Sequence, residues 1–287
     1  MTSGEEVTSV LEPDLKLNAR STVSVTKRLI LSLGDKGGVG KSFIIRKLAE
    51  MHMAENAKRL LLVDCDGAVS SLYKFHGGDR GPAEIFSIHG TVDERDQLVN
   101  DILRRGSDLV VADMPATSLT RLREMSVDYD FVKEVEAAGY RLTVVAPITP
   151  YGDPILDLQE SIALLDPAMV EAFDRTTASG MSEKAFAKPR ADYVVIVNLG
   201  FAEDRDDFEL WDAPDATTRR LLEYVGGIEL EIPKIRPRIA AKLQKYWLSF
   251  KAGETSEYFS ITDRGRLHRW NEAVEKTMRS AGERLGF

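Results

Sequence analysis

Apolar residues in this chain fall into short, continuous runs separated by longer amphipathic stretches. The runs occupy positions 29–33, 59–66, 108–113, 142–147 and 193–198, with a weaker, alternating one at 228–232. Continuous runs of this length read as parallel strands buried on both faces. Between them, residues recur at helical spacing: Ile45, Leu48, Ala49 and His52 in a segment reaching about Ala57, and again across 97–105. Near the end, Leu267, Trp270, Val274 and Met278 mark an amphipathic helix over 263–284. Pro237 stands just ahead of a further helix whose apolar stripe is read as Ile239, Leu243, Trp247 and Leu248. Strands alternating with helices predict βαβ units with right-handed crossovers: an α/β fold with a doubly wound, mostly parallel sheet flanked by helices. In such sheets ligands lie beyond the carboxyl ends of the strands.

The 287 residues are enough for one large α/β domain, expected over 27–287, preceded by a polar tail over 1–26 that carries Glu5, Glu6, Glu12 and Asp14. Two polar segments, 169–190 and 203–215, read as surface elaborations; the second holds seven carboxylates against one arginine, Arg205. The net charge of −8 argues against a globally basic nucleic-acid binder, though not against a local basic patch. A single cysteine, Cys65, excludes an internal disulfide and a cysteine-based metal site. His52, His76, His89 and His268 lack ligand spacing and read as surface or packing residues. No apolar run approaches transmembrane length and the opening residues lack the layout of a signal peptide, so the expected location is cytoplasmic.

The chemistry concentrates after the first run. Gly34-Asp35-Lys36-Gly37-Gly38-Val39-Gly40-Lys41-Ser42 leads directly into a helical segment beginning near Lys41 and Phe43. Strand, glycine loop and helix form the context of a phosphate-binding loop, the mark of a P-loop NTPase-type fold. Glycines let several N–H groups converge on one anion, and the helix adds the positive end of its dipole. Lys41 brings a charge to the β/γ-phosphates of a nucleotide, and the Ser42 hydroxyl is placed to ligate Mg²⁺. Asp113 ends an apolar run and reads as a carboxylate that holds Mg²⁺ through water. Asp64 and Asp66, two apart in extended chain, face the same side.

The loop departs from the general pattern: Asp35 stands where a first glycine is usual, and a second lysine, Lys36, follows. Lys-Gly-Gly-Val-Gly-Lys-Ser resembles the deviant Walker A loop of the ParA/MinD family of dimeric ATPases. The resemblance covers roughly residues 28–245. It implies ATP and Mg²⁺ as ligands, with Lys36, Gly37, Gly38, Val39, Gly40, Lys41, Ser42 and Phe43 around the phosphates. It further implies Asn198 and Pro233 at the base, and Ser42, Asp64 and Asp113 at the metal. By the same resemblance Asp66 orients the attacking water, and Lys36 reaches the partner's nucleotide across a homodimer formed on ATP binding. Family proteins have Pro after the second acid; here it is Gly67, followed by Ala68.

The function so implied is a slow, partner-stimulated ATPase whose dimerisation cycle positions or segregates a cargo: a plasmid, a transfer complex or a division-site component. An activating partner protein is expected. A basic stretch free of acids, with Arg236, Arg238, Lys242 and Lys245, resembles the surface through which several such proteins hold DNA non-specifically. Two alternatives stand beside it. One is a biosynthetic or transport enzyme of the same superfamily; the other is an adaptor that binds ATP and barely hydrolyses it.

Overall fold

The computed structural model describes residues 27–55, 59–67, 69–179 and 188–287. The polar tail over 1–26, Ala68 and the middle of the 169–190 segment lie outside the described residues. Seven parallel strands form one sheet: β1 (Lys27–Ser32), β2 (Leu60–Asp64), β3 (Ala83–Ile85), β4 (Leu109–Asp113), β5 (Tyr140–Ile148), β6 (Ala191–Asn198) and β7 (Ile228–Ile232). Their order is β3-β2-β4-β1-β5-β6-β7, so β1 lies centrally and successive connections leave it on both sides. This is the doubly wound α/β fold, of P-loop NTPase type, that the alternation of runs and the glycine loop together predict. The three-residue edge strand β3 carries no apolar run and is an addition to the six expected.

Twelve helices among the described residues cover the sheet: α1 (Lys41–Glu55), α2 (Ser71–His76), α3 (Val92–Arg104), α4 (Ser118–Met125), α5 (Phe131–Ala137), α6 (Gly152–Leu165), α7 (Pro167–Ser179), α8 (Glu209–Asp212), α9 (Thr217–Tyr224), α10 (Pro237–Lys245), α11 (Phe250–Gly253) and α12 (Ile261–Ser280). Strand periodicity sorts the core into two layers. Leu29, Leu31, Val110, Ala112, Val195 and Val197 point to the layer shared with Leu122, Val135, Leu158 and Leu221 of α4, α5, α6 and α9. Ile30, Val111, Val194 and Ile196 point to the other, with Ile45 and Leu48 of α1, Ile239 of α10, and Leu267 and Val274 of α12.

A buried cation joins α1 to α12. Lys47, fully enclosed, donates to Asn271 Oδ1 at 2.9 Å and Glu275 Oε1 at 2.8 Å. Beside it Glu50 accepts the backbone N–H groups of Phe250 and Lys251 at 2.7 and 2.8 Å, fixing the start of α11.

Three expectations need correction. The acidic 203–215 segment is anchored rather than superficial: Phe208 and Trp211 are fully buried, and Trp211 Nε1 donates to Glu229 Oε2 at 2.6 Å. Its acids flank these anchors, and Asp212 pairs with Arg205 and Arg219. In 169–179, Met169 and Phe173 are likewise core residues of α7. Trp247 does not continue the stripe of α10, which ends at Lys245; it sits beyond the helix at φ 50° and is 36% exposed.

Candidate functional site

The phosphate loop bridges the carboxyl end of β1 and the first turn of α1. Gly34, Gly38 and Gly40 have positive φ, and at Gly40 a Cβ would stand 2.5 Å from Asn198 Nδ2, so no larger residue fits the observed backbone. Asp35 in the first-glycine position has a definite task. Its carboxylate accepts the N–H groups of Leu119 and Thr120 at 2.8 and 3.1 Å, tying the loop to the start of α4. Ser118 reinforces this, its hydroxyl 3.2 Å from Gly34 O.

Lys41 is buried, with its ammonium folded over the loop to Gly34 O at 2.8 Å and Lys36 O at 2.6 Å. Burial lowers its pKa, opposed by Asp157, Asp113, Asp35 and Asp66. A desolvated ammonium held by loop carbonyls can exchange those weak acceptors for the oxygens of an anion.

Lys36 is directed within its own chain onto α6. Its ammonium meets Asp153 at 2.7 Å, which raises its pKa, and its backbone N–H donates to Asp157 Oδ2 at 2.8 Å. Lys36 and Asp153 are both exposed, and a pair of that kind contributes little and exchanges readily. A cleft of about 420 Å³ opens here, with Lys36, Gly38, Tyr151, Asp153 and Phe201 on its walls.

Asp64 and Asp113 end adjacent strands in direct register. Asp64, fully buried, accepts Asp66 N at 3.1 Å and Tyr73 N at 2.8 Å, so it also holds the turn after β2 and the start of α2. Burial raises its pKa. Asp113 is 1% exposed, and neither oxygen makes a well-formed hydrogen bond. Burial first, and the charge of Asp64 second, push its pKa up to about 7; Ser42, Arg46 and Lys41 oppose them. A buried carboxylate with unspent lone pairs beside the loop lysine is an incomplete electrostatic arrangement. It fits a divalent cation, which takes one or two carboxylates and keeps its remaining positions for water and phosphate oxygens.

Asp66 accepts Val69 N at 3.0 Å, and its Oδ1 lies 3.8 Å from His89 Nε2. The neighbouring Gly67 is in close contact with Ser87, where a Cβ would approach Ser87 to 2.9 Å. Asn198 is buried against the loop: Nδ2 donates to Val39 O at 3.1 Å and Oδ1 accepts Gly200 N at 3.1 Å. In this arrangement its amide braces the loop. Pro233 follows β7, with its carbonyl accepting Trp270 Nε1 at 2.7 Å. The Phe43 ring packs edge-on against Phe250 and Trp270, at 5.0 and 5.5 Å between centroids, and is therefore a core contact.

The structure thus gathers 36–42, Asp64, Asp66, Asp113 and Asn198 at the carboxyl edge, and Pro233 follows the strand end beside β6. Sequence reading missed Asp153 and Asp157. Both follow the carboxyl end of β5, where the general rule for ligand sites in parallel sheets points. Arg236 and Lys245 stand on the exposed flank, but Arg238 is paired with Asp263 at 2.6 Å and Lys242 donates to Tyr258 O at 2.7 Å.

No protein-family model matches the chain, and no curated protein matches it in sequence. Among solved structures, it is similar to septum site-determining protein MinD of Pyrococcus horikoshii, complexed with Mg-ADP: 14% identity, 91% of this chain and 100% of that one, TM-score 0.46. It is also similar to apo McdA of Cyanthece (12%, 88% and 99%, TM-score 0.47) and a ParA family ATPase of Chlorobium tepidum (16%, 88% and 100%, TM-score 0.42). Such values describe a loosely shared architecture and say nothing of ligand or partner. The resemblance to the ParA/MinD loop stands separately, on the residues Lys36 to Ser42 themselves.

Proposed function

We propose that this protein is a ParA/MinD-like ATPase, a nucleotide-controlled dimerisation switch that positions a cargo. The observation that carries this reading is the orphaned Asp113 carboxylate facing a glycine loop whose lysine is desolvated. The loop amides and Lys41 would hold the phosphates of ATP, with Asn198 and Pro233 toward the base. Ser42, Asp113 and Asp64 would hold Mg²⁺, which supplies charge neutralisation on the phosphate oxygens. Asp66 would position water for in-line attack, a reaction that depends on placement and charge stabilisation. Lys36 would leave Asp153 and enter the partner's site, so that two chains are joined only when nucleotide is present. Asp64 also accepts the N–H groups of Asp66 and Tyr73, so a carboxylate assigned to the metal is joined directly to the chain on both sides of that turn, a link suited to respond to hydrolysis.

The Asp66 carboxylate accepts the local Val69 N–H and lies near His89, a seat that also suits an adaptor that binds ATP and turns over little. One experiment separates these. With a slowly hydrolysed ATP analogue, light scattering should report a dimer for the wild type. Lys36→Ala should bind ATP within about tenfold of wild type, yet neither dimerise nor hydrolyse appreciably. A Lys36→Ala variant that dimerises normally would overturn the shared-site reading. A wild type that dimerises without turnover would select the adaptor. The cargo this reading favours is nucleic acid, through Arg236, Arg238, Lys242 and Lys245.

A further inference from the structure

The basic flank differs from a plain charged surface in where it puts its aromatic rings. From Lys234 to Arg269 the chain has nine lysines and arginines against three acids, in a protein of net charge −8. The cations follow one track. At its start a groove of about 300 Å³ lies between the segment after β7 and α12, lined by Lys234, Arg236, Arg266 and Arg269 with Trp270. Among the described residues Arg236 and Arg269 have no carboxylate partner. The track continues along α10 through Arg238, which is paired with Asp263, and Lys242, whose ammonium reaches the carbonyl of Tyr258 and so links the helix end to that residue.

At that end Tyr246 and Tyr258 stack face to face, 4.0 Å apart and 7° from parallel. The ammonium of Lys245 lies over the Tyr246 ring at 5.2 Å, so the outer surface of the pair belongs to Tyr258, which is 48% exposed. Next to it Trp247 occupies the left-handed position that closes α10. Leu248 N–H bonds to Leu243 O at 3.0 Å and Trp247 N–H to Gln244 O at 3.4 Å, the pairing of a Schellman motif. Glycine is the ordinary residue there, because a side chain at positive φ is strained. Here the strained residue is a tryptophan on the surface, with Lys74 over its ring at 5.8 Å.

We infer that this flank binds single-stranded nucleic acid. The inference rests on the nucleic-acid part of the proposed function and is independent of ATP hydrolysis. Duplex DNA presents phosphates outward and keeps its bases stacked on one another, so it can use the cations and leaves the rings idle. A single strand offers the same phosphates together with free base faces, and alternating aromatic and cationic groups are how sequence-tolerant single-strand sites are built. Arg236, Arg269 and Lys245 would follow the backbone, while Tyr258 and Trp247 would each present a face to a base.

The test is fluorescence anisotropy of the full-length chain with a labelled 20-nucleotide oligo-dT and, separately, a 20-base-pair duplex, at 50 and 200 mM salt. The single strand should bind the more tightly. Tyr258→Ala combined with Trp247→Gly should weaken it by about tenfold or more while leaving the duplex unchanged, and Tyr258→Phe should restore binding. Arg236→Gln should weaken both nucleic acids alike and flatten the salt dependence. The unfolding temperature of each variant checks that it is folded, and an ATP-dependent dimer, measured separately, reports on the nucleotide reading. Equal affinity for duplex and single strand, indifference to the aromatic substitutions in folded variants, or no binding at 50 mM salt would each overturn the inference. So would competition by poly-glutamate as effective as that by oligo-dT, which would make the flank a site for an acidic peptide.

Discussion

The phosphate loop and the flank from Lys234 to Arg269 both collect positive charge, and they manage it by opposite means. Lys41 is desolvated, and of the acids that act on it Asp113 is itself buried, so that interaction is shielded from water and salt. On the flank, Arg236, Lys245 and Arg269 stand in solvent, where each contact is individually weak and screened over about 8 Å at physiological ionic strength. The first arrangement suits chemistry that needs a few strong, fixed charges. The second suits a ligand met by many weak contacts at once. Ionic strength should therefore divide the two: nucleotide affinity should change little between 50 and 200 mM salt, while affinity of the flank for a polyanion should fall steeply.

The comparison breaks most visibly if the buried site proves inert. Asp66→Ala should slow ATP turnover by about 10²–10⁴-fold while retaining nucleotide, so that the protein accumulates as an ATP-bound dimer; steady-state phosphate release measures it. Unchanged turnover would take the water-positioning role away from Asp66.

Asp113 sharpens the contrast through pH. Its folded pKa of about 7 lies above that of an unfolded aspartate, so its protonation stabilises the native state. That contribution is complete below about pH 4 and is lost as pH rises through about 7. Asp113→Asn removes the penalty. Without nucleotide or Mg²⁺, the variant should melt above wild type at pH 8, by on the order of 2–4 kcal/mol in stability, and the gap should close by pH 4. Adding Mg²⁺ and ADP should stabilise wild type and leave the variant largely unaffected. Parallel melting curves at all pH values would mean that Asp113 is not strained by burial.

Gly40→Ala places a Cβ against the Asn198 amide at a left-handed φ. A loss of about 1–3 kcal/mol is expected in chemical denaturation, with weaker nucleotide binding. Gly38 also has positive φ but has open space around its Cβ position, so Gly38→Ala should cost less.

The smallest effect belongs to the flank. At Trp247, Gly should be more stable than Ala by about 1 kcal/mol, because both lose the ring that packs against Phe75 and only Ala keeps the left-handed strain. Ala equal to or better than Gly would show that the position is unstrained in solution.

Much of the candidate site's layout was legible because its signals are local. Glycines, lysines and a serine in sequence report a loop directly, and Asp64 and Asp113 each end an apolar run. What escaped depends on distant contacts. Asp153 and Asp157 lie more than a hundred positions from Lys36 and carry no motif of their own. The edge strand β3 is three residues long and pairs with β2, too short to show a period. Trp247 falls at helical spacing from Leu243, yet its helix has already closed by hydrogen bonds that spacing does not encode. The abundance of acids in 203–215 concealed two buried aromatics, since average polarity says little about a segment fixed by single anchors.

The enclosed lysine between α1 and α12 bears on how the molecule can be cut. Shortening the chain ahead of Ile261 would remove Asn271 and Glu275, leaving the Lys47 ammonium with Glu50, at 3.7 Å, as its ion-pair partner among the described residues. The helix that opens at the phosphate loop would then lose its backing. Hydrogen exchange should accordingly protect α1 and α12 together, as one cooperative unit. A domain boundary drawn between them for expression or fusion would divide something that folds as a piece.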